Sequence, residues 1–236
     1  GDKDSIPIIE GTKTTQTLEA AAFEALALSR GGTPSGSFFS EADDAIRARV
    51  ENERAGIAAS QKYIRGLYAG GTLCYESILI AREAFEGVYS NTPVSTDEAL
   101  EDLSAPKQHT FLDLGEDEFT RGRPHPMIEP SLRNQWILEQ AEDESVAVLL
   151  LDVVIGFGSH PDAAGVAAED IAKAKESARK AGRYLSVVAS VCGTEGDYQG
   201  FEKQKKVLED AGVVVMPSNA QAARFAVLVA GGEPKN

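Results

Sequence analysis

The chain has 236 residues, 42% of them apolar, enough to bury the core of one large domain or of one and a half ordinary ones. Its 23 basic and 37 acidic residues leave a formal net charge of −14, which excludes a broad electrostatic surface for nucleic acid and makes any anion site a local one. Cys74 and Cys192 stand far apart, neither with a second cysteine at metal-ligand or redox-motif spacing. No apolar run reaches the roughly 18 residues needed to cross a bilayer, and the start Gly1-Asp2-Lys3-Asp4-Ser5 is unlike a signal peptide. A reduced cytoplasmic setting is therefore expected, with neither membrane nor nucleic acid as partner. A chain beginning at Gly1 rather than Met reads as a processed or excised fragment.

In chain order, Ile6-Pro7-Ile8-Ile9 predicts a short strand and the Ala- and Leu-rich residues 18–28 a helix. After a Gly/Ser/Pro breaker at 31–37, residues 40–59 read as a highly charged helical connector. Strands are predicted at 63–69, 110–114, 146–155, 185–191 and 213–216, and helices at 73–85, 131–142, 163–181, 201–211 and 219–230. Residues 91–108 read as a polar surface loop. Gly182 and Gly212 stand where left-handed helix caps are expected. The run Val146-Ala147-Val148-Leu149-Leu150-Leu151-Asp152-Val153-Val154-Ile155 is nearly continuous in apolar residues, as in strands buried on both faces, and is placed at the centre.

Five strands alternating with five helices predict an α/β, flavodoxin-like, doubly wound five-stranded parallel sheet with right-handed crossovers and strand order 2-1-3-4-5. The division expected is a strand-helix remnant of a preceding domain at 1–30, a helical connector at 31–60 and the flavodoxin-type domain at 61–236. Residues 6–28 look like a faint echo of the last strand-helix unit.

In such sheets ligands collect at the carboxyl ends of the strands, where helix N-termini expose unpaired N–H groups. The glycine loops fall there: Gly70-Gly71-Thr72, Gly115-Glu116-Asp117, Gly156-Phe157-Gly158-Ser159-His160 and Gly193-Thr194-Glu195-Gly196-Asp197. Glycine admits close approach, and a helix start favours phosphate or carboxylate. Gly156, Gly158 and Ser159 lead the candidate anion-binding residues, followed by Gly70, Gly71, Thr72, Gly193 and Thr194. The plain alternative for the 156–162 loop is a tight turn with Asp162 or Ser159 as N-cap, and cap and anion site can coexist.

Arg121-Gly122-Arg123-Pro124-His125-Pro126 is a rigid basic loop on an acidic protein. Arg121 and Arg123 can fork onto a phosphate or carboxylate, or simply pair with Glu116, Asp117 or Glu118. His125 and His160 are the candidate catalytic groups, as acid, base or nucleophile, against a structural role for each. Glu195 and Asp197 can orient a ligand or lie solvated. No His, Cys or carboxylate spacing predicts a metal site. Cys74, near a helix start, has a setting that can lower a thiol pKa, but both cysteines are read as buried filler, and Trp136 as core.

Three phrases carry a family resemblance: Tyr63-Ile64-Arg65-Gly66-Leu67-Tyr68-Ala69-Gly70-Gly71-Thr72-Leu73-Cys74, Asp113-Leu114-Gly115-Glu116-Asp117-Glu118-Phe119-Thr120-Arg121-Gly122-Arg123-Pro124-His125-Pro126-Met127-Ile128, and Leu150-Leu151-Asp152-Val153-Val154-Ile155-Gly156-Phe157-Gly158-Ser159-His160-Pro161-Asp162. Over about residues 60–230 the chain resembles the FdrA family, which is related to succinyl-CoA synthetase. Phe111-Leu112-Asp113-Leu114-Gly115 resembles the second strand and turn of the synthetase β subunit, and residues 148–158 the strand entering its Gly-rich, phosphate-facing loop. No stretch resembles an ATP-grasp module or the N-terminal CoA-binding Rossmann domain of FdrA-type proteins. The loop matching the synthetase phosphohistidine motif, residues 193–200, contains no histidine.

The resemblance implies the ligase-CoA domain of an FdrA-type protein, taking part in carbamoyl or acyl transfer through phosphate-bearing intermediates. Such proteins are described as acyl-CoA synthetases and are linked to purine and allantoin catabolism through oxamate carbamoyltransfer. It implies a small anionic substrate, phosphate or carbamoyl phosphate as ligand, and no cofactor in this chain, with CoA or ATP only on other domains. An N-terminal CoA-binding-like domain or other subunits are the implied protein partners, in an oligomer. The alternatives are a subunit of an acyl-CoA synthetase and a non-catalytic subunit-docking domain.

Overall fold

The computed structural model describes residues 10–33 and 38–234. The run Ile6-Pro7-Ile8-Ile9 lies outside them. The elements are α1 (Leu18–Ser29), α2 (Asp43–Arg54), β1 (Tyr63–Tyr68), α3 (Gly71–Ala84), β2 (Val88–Ser90), a 3-10 turn (Thr96–Glu98), β3 (His109–Asp113), α4 (Asp117–Thr120), α5 (Ser131–Ala141), β4 (Val146–Val154), α6 (Ala163–Lys180), β5 (Ser186–Cys192), α7 (Phe201–Asp210), β6 (Val214–Met216) and α8 (Asn219–Val229).

The strands form one parallel sheet in the order β2-β3-β1-β4-β5-β6. The five expected strands take the expected 2-1-3-4-5 order within it. The sixth, β2, is a correction: it pairs with β3 from Val88↔His109 to Ser90↔Phe111. Three residues between Gly87 and Asn91 are too short to show strand periodicity, so only pairing with β3 reveals them. The loop that follows is not wholly superficial either, since Leu100 is buried and Ala99 bridges to Ser90.

Strand β4 is central, and Val146 to Val153 are fully buried because helices cover both faces. Helices α3, α8 and α2 cover one face, over Ile64, Phe111, Val148, Leu150 and Val188. Helices α5, α6 and α7 cover the other, over Leu112, Leu149, Leu151, Val187 and Ala189. Helix α2 does more than connect: Ile46 and Val50 enter the core against α8, at about 1.5–3 kcal/mol of burial each. Trp136 packs partly buried against the core, edge-on to Phe119.

Helices α6 and α7 stop at glycines in the left-handed region, Gly182 at φ 75° and Gly212 at φ 74°. Bonds from Arg183 N–H to Ala178 O and from Val213 N–H to Leu208 O close the two caps. Helix α1 differs from the rest. No side chain in it is buried, and Leu18, Phe23, Leu26 and Leu28 are all exposed.

Candidate functional site

The sheet reverses its winding between β1 and β4, since α3 leaves β1 to one face and α6 leaves β4 to the other. At that point the backbone of β1 runs out and a side chain continues the pairing. Asp152, fully buried on β4, accepts the N–H of Ala69 through Oδ1 and of Gly70 through Oδ2, each at 2.8 Å. Arg133 of α5, also buried, donates to the Asp152 carbonyl at 2.6 Å and holds its Nη1 3.6 Å from Oδ1. Burial pushes the Asp152 carboxyl above the usual carboxylate range, with Arg133 and the two N–H groups pulling against it. A lone acid inside an apolar strand is the sequence signal for this pair.

Next to it, Asp113 ends β3 and is 5% exposed. Its Oδ1 accepts Gly115 N–H at 2.9 Å, while Oδ2 makes no hydrogen bond to a described residue. That oxygen lies over the start of α3, where a Cβ at Gly71 would be only 2.3 Å from it. Burial, then the charges of Glu116 and Asp152, raise the Asp113 carboxyl, against Gly115 N–H and His125. His125 completes the cluster: a Cβ at Gly115 would meet its Nε2 at 2.5 Å and Asp113 Oδ1 at 3.1 Å. Met127 N–H donates to His125 Nδ1 at 3.2 Å, so in the neutral ring the proton sits on Nε2, facing Gly115.

The helix N-termini decide where this edge can still receive an acceptor. In α6, Ala164 N–H donates to Gln204 Oε1 at 2.8 Å. In α7, Glu202 N–H donates to Glu195 Oε1 at 2.9 Å, and in α8, Gln221 N–H to Ser218 Oγ at 3.1 Å. In α5, Ser131 N–H donates to Glu129 Oε1 at 3.1 Å. The single turn of α4 has no side-chain cap, and neither has the longer α3: its N-cap is Gly70, and Gly71, Thr72 and Leu73 bring N–H groups with no partner among the described residues.

The 156–162 loop is mostly engaged with its own chain. Gln199, 2% exposed, accepts Gly156 N–H at 3.2 Å and donates to the carbonyls of Gly156 at 3.0 Å and His160 at 3.3 Å. Ser159 N–H bonds Gly156 O, and Tyr198 OH bonds Ser159 O. Asp162 holds the N-cap position of α6, but neither its side chain nor that of Ser159 accepts a helix N–H. Asp162 instead accepts from Gln204 Nε2 at 2.9 Å, so the remote glutamine joins both groups. Among the loop's amides, Phe157 N–H and Gly158 N–H keep no bond to a described residue. Gly156 at φ 134° and Gly158 at φ 91° let the loop turn sharply, and between them Phe157 stands fully exposed.

His160 N–H donates to Met127 O at 2.8 Å, joining this loop to the one carrying His125. His160 Nδ1 accepts Asp162 N–H at 3.1 Å. Arg121 lines a cavity of about 380 Å³ with Asn91, Glu116, Asp117 and Glu118, and that lining includes no residue of the 156–162 loop. Arg121 and Arg123 are exposed and form no ion pair among the described residues, so the pairing with Glu116, Asp117 or Glu118 does not form. Thr194 turns inward on its own loop, its N–H and Oγ donating to Asp197 Oδ2 at 2.6 and 3.1 Å. A Cβ at Gly193 would strike Ile155 at 2.1 Å.

Cys74 is buried filler as expected, yet its thiol is pushed well up by burial and by Asp113 and Asp152, opposite to a helix-start activation. Cys192 is exposed, contrary to the expectation of a buried side chain, because β5 ends in the solvent-facing 193–197 turn. Among the described residues no group of His, Cys, Asp and Glu has metal-site geometry, and no helix is long and apolar enough to cross a membrane.

Comparison with known proteins agrees with this architecture. The Escherichia coli K12 protein described as "Uncharacterized protein YahF" is 43% identical over 177 residues. The aligned stretch is 75% of this chain and 34% of YahF, so the chain spans about a third of the relative's length. Residues 67–229, from within β1 to the end of α8, match the family described as CoA-ligase, the succinyl-CoA synthetase-like ligase domain. With its doubly wound parallel sheet and its glycine turns at the carboxyl edge, the chain belongs to the CoA-ligase family.

Proposed function

We propose that this chain is the ligase-like part of a composite, FdrA-type enzyme that transfers an acyl or carbamoyl group between small molecules. The observation that carries the reading is the start of α3. Apart from the single turn of α4, it is the N-terminus at the strands' carboxyl edge left without a side-chain partner among the described residues, and Asp113 and His125 flank it. Uncapped N–H groups can hold a carbonyl or carboxyl oxygen in place. The His125 ring, whose Nδ1 accepts Met127 N–H, turns an Nε2–H donor toward them.

The rest of the site would come from other domains or subunits, in keeping with a relative three times the length of the matched stretch. CoA and ATP would bind on those other parts, a reading supported by the Asp113 carboxylate over the start of α3 and by the three acids that line the cavity with Arg121. Phe157 and Gly158 offer the two remaining loop donors for an anion carried in from elsewhere. The test is made on the assembled enzyme. Carbamoyl transfer from carbamoyl phosphate to oxamate is assayed against CoA- and ATP-dependent thioester formation, with His125→Ala in both. Carbamoyl transfer that falls with the variant supports the reading, and thioester formation alone would replace it with an acyl-CoA synthetase subunit.

A docking role has its own observation. Leu18, Phe23, Leu26 and Leu28 on α1 and Phe157 at the loop tip are apolar and exposed, as surfaces awaiting a partner are. This role is compatible with the first, and a domain that bound partner subunits but left turnover unchanged on mutation of His125 would reduce to it.

A further inference from the structure

We infer that the cavity between residues 103–106 and the last turns of α5 is a second small-molecule site, and that it takes an organic cation: an ammonium or guanidinium on a short apolar body that also carries a hydrogen-bond acceptor. Helix α5 runs back against the strands and ends beside the start of β1, where Arg65 Nη2 donates to Asp143 Oδ2 at 2.7 Å. That is the amino edge of the sheet, opposite the glycine loops, and the inference stands apart from the transfer reading.

The cavity holds about 550 Å³, a size usual for small-ligand sites, which are largely apolar with a few placed polar groups. Leu103, Pro106 and Trp136 supply its apolar wall and Glu139, Gln140 and Asp143 its polar one. Gln140, 7% exposed, accepts the Arg65 Nε–H through Oε1 at 3.0 Å and leaves Nε2 without a partner among the described residues. A donor so placed calls for an acceptor. The other polar groups are negative. Glu139 accepts from Gln135 Nε2 at 2.7 Å through one oxygen and forms no ion pair among the described residues. The last turn of α5 holds no basic residue to offset the negative end of the helix. The cations around it are engaged elsewhere: Arg65 with Asp143, Arg183 Nη2 with the Ala141 carbonyl at 2.9 Å, and Lys107 Nζ 4.4 Å over the Tyr89 ring.

This wall is selective by charge. A phosphate or carboxylate would meet Glu139, Asp143 and the helix end with no free cation among the described residues to hold it. An ammonium is drawn by the same three groups, and tryptophan is the best aromatic partner for a cation. A hydroxyl on the same molecule accepts from Gln140 Nε2 while its apolar body covers Leu103 and Pro106, so each lining group finds its complement. The net charge of −14 adds a long-range pull in the same direction.

Phenylethanolamine and phenylethanediol make the test, because they share a ring and a hydroxyl and differ by an ammonium in place of the second hydroxyl. Calorimetry on the full chain is expected to give the amine at least about tenfold tighter binding, the scale that separates a charge-assisted from a neutral hydrogen bond. Trp136 is the only tryptophan, so its indole N–H gives a single resonance, which should move when the amine is added to the unaltered protein. Glu139→Gln, at an exposed position, is expected to erase most of the preference while the unfolding transition stays cooperative. An unmoved indole resonance, equal affinity for the two compounds, or an unchanged preference in folded Glu139→Gln overturns the site, as does binding by neither compound. None of these outcomes bears on carbamoyl transfer by the assembled enzyme.

Discussion

Asp152 accepts the Gly70 N–H at 2.8 Å from a position where its side chain is fully buried, so a β4 carboxylate finishes the pairing that β1 leaves incomplete. The bond fixes the N-cap of α3, and with it the direction in which that helix presents its first turn.

Asp152→Ala is expected to cost about 3–5 kcal/mol, since it strands Arg133 as an uncompensated buried charge and frees two backbone N–H groups. Asp152→Ala combined with Arg133→Met should recover part of that loss, because the unpaired guanidinium is gone. Urea denaturation of the single and double variants measures both. A single variant within 1 kcal/mol of the unaltered protein would contradict the tether, on the scale at which surface changes fall.

Gly71→Ala forces Asp113 to move and should destabilise by about 1–3 kcal/mol, the range for inserting a methyl into packed space. The same change in an Asp113→Ala background should cost less. A double-mutant cycle by thermal unfolding reads the difference, and strictly additive effects would mean that the two residues do not touch.

The opposite edge of the sheet supplies a pH dependence. His109, stacked on Phe85 with ring centroids 3.9 Å apart, is lowered to about 4 by burial and by the Arg65 charge. Its folded pKa lies below the unfolded value, so the stability it gives is present above pH ~6.5 and is lost as pH falls through 4, in all about 3 kcal/mol. Asp113 and Asp152, both raised, act in the other direction, favouring the fold as they take up protons. Replacing His109 by Gln should therefore flatten the loss of stability between pH 7 and 4.5 in a urea titration series. An unchanged slope would refute the assignment.

Thiol labelling separates the two cysteines. The native protein should react at Cys192 alone and the unfolded chain at both, because Cys74 is fully buried. Burial, Asp152 and Asp197 raise the Cys192 thiol, so its labelling rate should climb with pH beyond that of a free thiol before levelling. Two equivalents reacting without unfolding would contradict the placement of Cys74.

Gln204→Ala should cost about 1–2 kcal/mol by removing the cap on α6 and the partner of Asp162 together. Native-state hydrogen exchange at Ala164 provides the local readout. Protection there equal to the unaltered protein would show that the helix start is held in some other way.

Read in order, the residues of this chain determine the parallel sheet, its strand order from β3 to β6 and the placing of glycine turns at its carboxyl edge. The apolar run 146–155 could be buried only at the centre, and Gly182 and Gly212 stop their helices through conformations that glycine adopts easily. These are local signals, carried by periodicity and by single residues. Which turn remains open to a ligand is another matter, because the caps come from far along the chain. Gln204 reaches Ala164 across 40 residues and Gln199 reaches Gly156 across 43, so the start of α6 and part of the 156–162 loop are engaged from far along the chain. Asp152 reaches Gly70 across 82, and Asp113 arrives over Gly71 from the neighbouring strand. Periodicity carries no information about those meetings; the crossovers of the folded sheet bring the donors and acceptors together.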